Sequence, residues 1–309
     1  MWLYNFGLSL YAFAIALVSP WHRKAKRWRD GRKHLLQRMA EAIDPSEPIV
    51  WVHVASLGEF EQGRPIIEKI RLEHPRYKIL LTFFSPSGYE IRKDYPGADY
   101  IFYLPIDTPR NARRFLDIVR PEIAIFVKYE FWINLLTGLR RRGIRTYIVS
   151  AIFRRNSVFF RQWGGLWRQA LETFDTLFVQ NEESRILLGK LGFDNVVVAG
   201  DTRFDRVAQI AANAKRIELV ERFRGGERLF VAGSTWGPDE ELLIELMNAN
   251  PGIKFVVAPH EMDESRIARL IGETRGGAVR YTRCTDSTVL DDKQLLILDT
   301  VGILASVYG

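Results

Sequence analysis

A chain of 309 residues can hold two domains, each large enough to bury its own core, and a composition with 26% charged and 47% hydrophobic residues excludes both a disordered chain and a many-span transporter. The net charge of +7 sits in one place: Arg23, Lys24, Lys26, Arg27, Arg29, Arg32, Lys33 and Arg38, against Asp30 alone, account for all of it between positions 21 and 38. The remainder is neutral, which argues against a nucleic-acid binder, and the single cysteine, Cys284, excludes an internal disulfide and fits a reducing compartment.

The first predicted element is apolar. Residues 2–20 carry no charge, and as a helix rising about 1.5 Å per residue they reach about 28 Å, close to the hydrocarbon thickness of a bilayer. The basic cluster follows this run, whereas a cleavable signal peptide puts its charges first. The pattern predicts a membrane anchor over 1–20 and a basic juxtamembrane segment over 21–48, kept on the cytoplasmic side beside anionic lipids, with Trp21 and Trp28 at the interface. The run also permits an apolar helix packed on the body or lying in one leaflet.

From position 49 onward, apolar runs of strand length alternate with amphipathic stretches. Strands are predicted at 49–54, 78–83, 100–104, 123–127, 146–150, 176–179 and 196–199, with helical signals between them, making a first domain over 49–212. A charged, glycine-containing linker at 213–228 leads to a second series at 229–232, 254–258, 278–281 and 295–298, in a domain over 229–309 with too few strands to be complete. The fold class is α/β, two Rossmann-like doubly wound domains in tandem, with ligands expected in a cleft at the strand carboxyl ends.

Five strand ends carry candidate chemistry. The first strand runs into His53-Val54-Ala55-Ser56-Leu57-Gly58-Glu59, where small residues let a substrate approach and Glu59 falls in the first helical turn. There the positive helix end favours the carboxylate anion, the state a general base needs; a helix cap is the other role open to Glu59. Lys128-Tyr129-Glu130-Phe131-Trp132 follows the fourth strand and brings a second acid and a lysine, which either serve the site or pair with each other. In the second domain Gly233-Ser234-Thr235, ahead of a helix opening at Gly237, has the makings of an anion cradle, with Pro259-His260 and Asp299-Thr300 at the next strand ends pointing to a nucleotide guest. The sequence has no dinucleotide fingerprint, no Walker lysine, no paired zinc histidines and no serine-hydrolase elbow, so those chemistries lose support.

Taken together, His-Val-Ala-Ser-Leu-Gly-Glu at 53–59, Lys-Tyr-Glu-Phe-Trp at 128–132, Gly-Asp-Thr-Arg-Phe-Asp-Arg-Val at 200–207, Gly-Ser-Thr at 233–235 and Asp-Thr-x-Gly at 299–302 resemble the 3-deoxy-D-manno-oct-2-ulosonic acid (Kdo) transferases of lipid A biosynthesis. The resemblance spans essentially the whole chain. It implies a GT-B glycosyltransferase, inverting and metal-independent and without a cofactor, that moves Kdo from CMP-Kdo to a lipid A precursor (lipid IVA) at the cytoplasmic face of the inner membrane. By the same resemblance Glu59 is the general base and Glu130 a second essential acid. Ser56, Gly58, Lys128 and Arg203 serve the acceptor side, and Gly233, Ser234, Thr235, Pro259, His260, Asp299 and Thr300 serve the donor. The sequence departs from the family in lacking an arginine between Pro259 and His260 and in carrying Ile303 where a glutamate often follows the Asp-Thr-x-Gly segment. The family continues with a glycine-rich loop and an Asn-x-x-Glu segment, so the resemblance also implies a C-terminally truncated chain whose own activity is open. The competing readings are another GT-B sugar-nucleotide enzyme and a non-catalytic, membrane-tethered binding fragment.

Overall fold

Six consecutive residues, Ile49–Val54, form β1 and every one of them is buried, the mark of a strand covered on both faces. The computed structural model describes residues 1–212, 216–300 and 302–308, with the side chains at 206, 209–212 and 305 outside that description. The start of the expected linker at 213, Val301 of the Asp-Thr-x-Gly segment and the terminal Gly309 therefore lie outside the described residues.

The chain divides into two units, Met1–Arg206 and Val207–Gly309. In the first, β1 joins β2 (Lys78–Phe83), β3 (Tyr100–Tyr103), β4 (Ile123–Val127), β5 (Arg145–Ala151), β6 (Thr176–Val179) and β7 (Val196–Val198) in the order β3-β2-β1-β4-β5-β6-β7. All neighbouring pairs are parallel. Alternation along the strands sorts the core into two layers. Trp51, Leu80, Ala124 and Phe126 face one side, while Val50, Val52, Val54, Ile79, Leu81, Ile125 and Val127 face the other. The second unit holds β8 (Arg228–Thr235), β9 (Ile253–Pro259), β10 (Ala278–Arg280) and β11 (Leu295–Ile297), again parallel, in the order β10-β11-β9-β8. Every strand expected from the sequence is present.

The expected linker is not one throughout: Glu218–Arg224 is a helix, and its Val220 and Phe223 are buried against the second sheet's core. The larger correction concerns the N-terminus. Helix α1 (Trp2–Val18) has 17 residues, and no helix among the described residues is long and apolar enough to cross a membrane. The polar side chains within the run explain the difference, because they are committed to the first unit. Tyr4 Oη donates to Asp107 Oδ2 at 2.7 Å, Asn134 Nδ2 donates to Asn5 Oδ1 at 2.9 Å, and the buried Ser19 hydroxyl accepts from Arg29 Nη1 at 2.6 Å. A stripe of Tyr4, Asn5, Leu8, Ala12 and Ile15 is thus partly covered, and the opposite stripe of Trp2, Leu3, Phe6, Leu10, Phe13 and Leu17 is exposed.

The basic segment also folds onto this unit, as α2 (Arg23–Asp30) and α3 (Leu35–Ala42). Trp28, expected at a membrane surface, is only 6% exposed; it packs edge-on to Tyr11 and Phe84 with the Arg32 guanidinium 4.0 Å over its ring. Arg32 is held by three carbonyls, those of Leu104, Trp28 and Phe84. Burial pulls its pKa down to about 9. Trp21 remains exposed, along with Arg23, Lys24, Lys26 and Arg27.

Candidate active site

The strand order of the first sheet reverses direction between β1 and β4, and in an open parallel sheet that switch point opens a crevice beyond the strand carboxyl ends. Helix α4 (Leu57–Glu73) begins directly after β1, with Ser56 as its N-cap. Gly63 lets this helix sit close to the sheet, since a Cβ there would lie 3.1 Å from Val127 Cγ2. Glu59 occupies the first turn, partly exposed, and the Ser56 hydroxyl donates to its Oε2 rather than to a backbone group. The Ser56 side chain makes no cap hydrogen bond, so the capping box that Ser56 and Glu59 allow is not formed on its side. Gly58 is exposed, and among the described residues a Cβ there would meet, beyond its chain neighbours and the helix backbone, the Ser56 hydroxyl alone, at 3.9 Å.

The loop after β4 carries the second acid. Lys128 turns it through a left-handed backbone (φ 70°), an unusual conformation for a residue with a Cβ. Glu130 is 9% exposed and pairs with His53 of β1, not with Lys128: His53 Nε2 lies 3.0 Å from Glu130 Oε2. Trp132 Nε1 donates to the same oxygen at 2.8 Å. His53 is fully buried, and its Nδ1 is 2.9 Å from Thr82 Oγ1 and 3.1 Å from the Thr82 carbonyl. Lys128 makes no ion pair among the described residues, and its ammonium stands 6.0 Å from the Tyr129 ring centre. Arg203 is ion-paired to Asp201 at 2.5 Å, and Gln62 Nε2 donates to the other Asp201 oxygen at 2.8 Å. Burial opposes ionisation of Asp201, but the hydrogen bonds from Arg203 and Gln62 outweigh it and hold the carboxyl below the usual range. Of the two residues that complete this motif, Arg206 ends the first unit with its side chain outside the described residues, and Val207 begins the second unit and is exposed.

In the second unit Gly233, Ser234 and Thr235 end β8 at an irregularity in its register with β9, and Ser234 is left-handed (φ 56°) and exposed. Thr235 Oγ1 donates to Glu240 at 3.0 Å, and Arg266 clamps Glu240 while donating to the Thr235 carbonyl at 3.0 Å. An arginine therefore does reach this turn, from the helix Glu264–Glu273 rather than from beside Pro259. Pro259 is buried at the end of β9, and His260 is exposed with its ring 4.4 Å from that of Trp236. Asp299 is committed to Arg280 Nε at 2.7 Å and Thr282 Oγ1 at 2.6 Å. Its carboxyl is raised by burial, but the bonds from Thr282 and Arg280 prevail and lower it. Thr300, beside it, is partly exposed.

These placements set a constellation of two carboxylates, one lysine and a helix N-terminus at the carboxyl edge of one parallel sheet. The family model of 3-deoxy-D-manno-octulosonic-acid transferase (kdotransferase) matches residues 26–206, which contain all of it. The chain belongs to the Kdo transferase family. Among relatives it is 24% identical over 308 residues to a bifunctional glycosyltransferase/methyltransferase of Fusobacterium nucleatum, covering 97% of this chain and 48% of that protein. It is 23% identical to the 3-deoxy-D-manno-octulosonic acid transferase of Haemophilus influenzae, covering 88% of this chain and 67% of that one. The chain thus spans about half the length of the first relative and about two thirds of the second. Of the solved structures, UDP-GlcNAc 2-epimerase from Neisseria meningitidis superposes with a TM-score of 0.57 at 13% identity, over 84% of this chain and 74% of that one, a likeness of fold.

Sequence reasoning missed His53, Thr82 and Trp132 as members of the site. The available signal was a lone histidine inside an otherwise apolar strand, two residues from Trp51 and so on the same face, where a buried polar ring must find partners. Asp107 gave no such signal. It lies far from α1 and from the helix Ile133–Arg141 in sequence, yet accepts from Tyr4 and from the backbone amides of Asn134 and Leu135.

Proposed function

We propose that this Kdo transferase family member takes part in moving Kdo from CMP-Kdo to a lipid A precursor, with inversion at the sugar carbon and without a metal or other cofactor. The observation that carries the reading is the presence of Glu59 and Glu130 at the switch-point edge within the family match. In the reaction the acceptor hydroxyl oxygen attacks the anomeric carbon of Kdo, its proton passes to Glu59, and CMP departs with the electrons of the broken C–O bond. Attack from the face opposite the leaving group gives inversion. On the acceptor side, the exposed Gly58 leaves room beside Glu59, and Lys128 and Arg203 supply positive charge toward anionic substrates. On the donor side Ser234, Thr235, Pro259 and His260 are the candidates for the CMP phosphate or nucleoside, backed by Gly233 and with Asp299 and Thr300 on the neighbouring loop.

The lipid acceptor needs an enzyme at a membrane surface, and α1 supports an in-plane mode of contact. Its exposed stripe of Trp2, Leu3, Phe6, Leu10, Phe13 and Leu17 continues into Trp21, and the exposed cations Arg23, Lys24, Lys26 and Arg27 follow. An apolar helix face next to basic side chains suits the headgroup region of an anionic leaflet, each cation adding about 1 kcal/mol near the surface. We place it at the cytoplasmic face of the inner membrane.

The direct test is incubation with CMP-Kdo and a tetraacylated disaccharide acceptor, with product mass followed by spectrometry. A product heavier by one or more Kdo units supports the reading. Turnover of other sugar nucleotides but not CMP-Kdo defeats it in favour of a different GT-B chemistry. For the membrane, the protein should sediment with vesicles containing anionic lipid, and Leu10→Asp with Phe13→Asp should abolish that; equal sedimentation of the variant refutes the α1 contact.

A further inference from the structure

The hydrogen-bond pattern around His53 fixes more than a packing role. Thr82 Oγ1 accepts from Trp51 Nε1 at 2.8 Å, a group that is only a donor, so the hydroxyl proton must point elsewhere. Within its reach is His53 Nδ1, at 2.9 Å, which is also 3.1 Å from the Thr82 carbonyl, so Nδ1 either accepts from the hydroxyl or donates to the carbonyl. Trp132 Nε1 approaches His53 Nε2 as well, at 3.0 Å, but Nε2 and the Glu130 carboxylate oxygen Oε2 are 3.0 Å apart and two lone pairs cannot face each other there, so Nε2 carries a proton aimed at Oε2. Trp132 Nε1, another pure donor, lies 2.8 Å from the same oxygen. Two N–H groups therefore converge on Oε2, and Oε1 has no hydrogen bond among the described residues. Two donors and no carboxyl proton to place is the pattern of an ionised carboxylate with one oxygen immobilised and one left for a ligand.

We propose that His53 is a positioning residue of the transferase: seated on Thr82 and carrying a proton on Nε2, it pins Glu130 Oε2 jointly with Trp132 and presents Oε1, as an anion, to a hydroxyl or ammonium-type donor on the substrate. This rests on the functional reading above for what the substrate is, but not for the state of the pair. Trp51, Thr82, His53, Glu130 and Trp132 form one chain of hydrogen bonds from the sheet core to the edge, crossing from β2 through β1 to the loop after β4. The device is rigid because His53 and Thr82 are fully buried and set in the register of paired strands.

Two experiments test it. In the first, nitrogen-15 spectra of the imidazoles identify the His53 signal by its loss in His53→Gln. The expected result is a protonated Nε2 in the parent; a neutral ring with its proton on Nδ1 alone overturns the proposal, whether or not any variant folds or any transfer is seen. In the second, His53→Leu should lower kcat by about 100-fold, the scale of a misplaced functional group, with KM for both substrates nearly unchanged. His53→Gln, which keeps an N–H near the Nε2 position, should recover most of that loss. Adding Glu130→Gln to His53→Leu should cost nothing beyond Glu130→Gln alone. Parental kcat in a folded His53→Leu protein, or losses that multiply in the double variant, overturns it. Absence of transfer in the parent itself defeats the functional reading and leaves the spectra to decide on His53.

Discussion

Replacing Glu59 by alanine separates chemistry from folding because the structure gives this side chain little to hold together. General-base catalysis contributes about 100- to 10,000-fold, so turnover should fall at least about 100-fold, a barrier increase of about 3 kcal/mol. On the stability side, the hydrogen bond found for the carboxylate comes from the Ser56 hydroxyl, and both residues are partly exposed, so alanine leaves no buried orphan. The remaining loss is an acid in the first turn of α4, worth about 0.3–1 kcal/mol against the helix dipole, which moves Tm by only a few degrees. Initial rates of Kdo transfer and thermal melts of Glu59→Ala and Glu59→Gln measure the two quantities side by side. Turnover within tenfold of the parent refutes Glu59 as the base. A stability loss above about 3 kcal/mol refutes the premise that its role is chemical rather than structural.

Other substitutions probe the frame that carries the site. Trp28→Ala removes a buried indole packed on Tyr11, Phe84 and Arg32 and should cost about 3–5 kcal/mol in denaturant unfolding; a loss under 1 kcal/mol contradicts its place in the core. Lys128→Gly relieves a left-handed backbone and should stabilise by up to about 1 kcal/mol while transfer falls, and unchanged or lower stability refutes stored strain there. Asp107 is pushed up to about 6 by burial, against the bonds from Tyr4, Asn134 and Leu135 that favour its anion. Its native pKa lies above the unfolded one, so its contribution to stability is full below about pH 4 and is lost as pH rises through about 6. Unfolding free energy of the parent should therefore fall relative to Asp107→Asn by up to about 3 kcal/mol between pH 4 and 7, and parallel curves would show the shift to be absent.

The sequence alone determined the strand inventory and the positions of the two acids. Strands such as Ile49–Val54 and Ile123–Val127 are legible because a strand buried on both faces must be apolar at nearly every position, a local property of the chain. Glu59 and Glu130 were legible for a related reason: a strand's end and the following helix start are set by neighbours in sequence, and those are the places where such sheets hold ligands. Only the tertiary structure decided the fate of the N-terminal run. An uncharged stretch reads the same to a bilayer and to a protein surface, and what separated them was that Asp107 and Asn134, far along the chain, receive Tyr4 and Asn5. It likewise decided that Glu130 answers to His53 across β1 and β4 and not to Lys128 two residues away: β4 ends at Val127, the left-handed backbone at Lys128 breaks the pleat that would put residues two apart on one face, and a buried carboxylate goes to whichever donor the strand pairing brings to it.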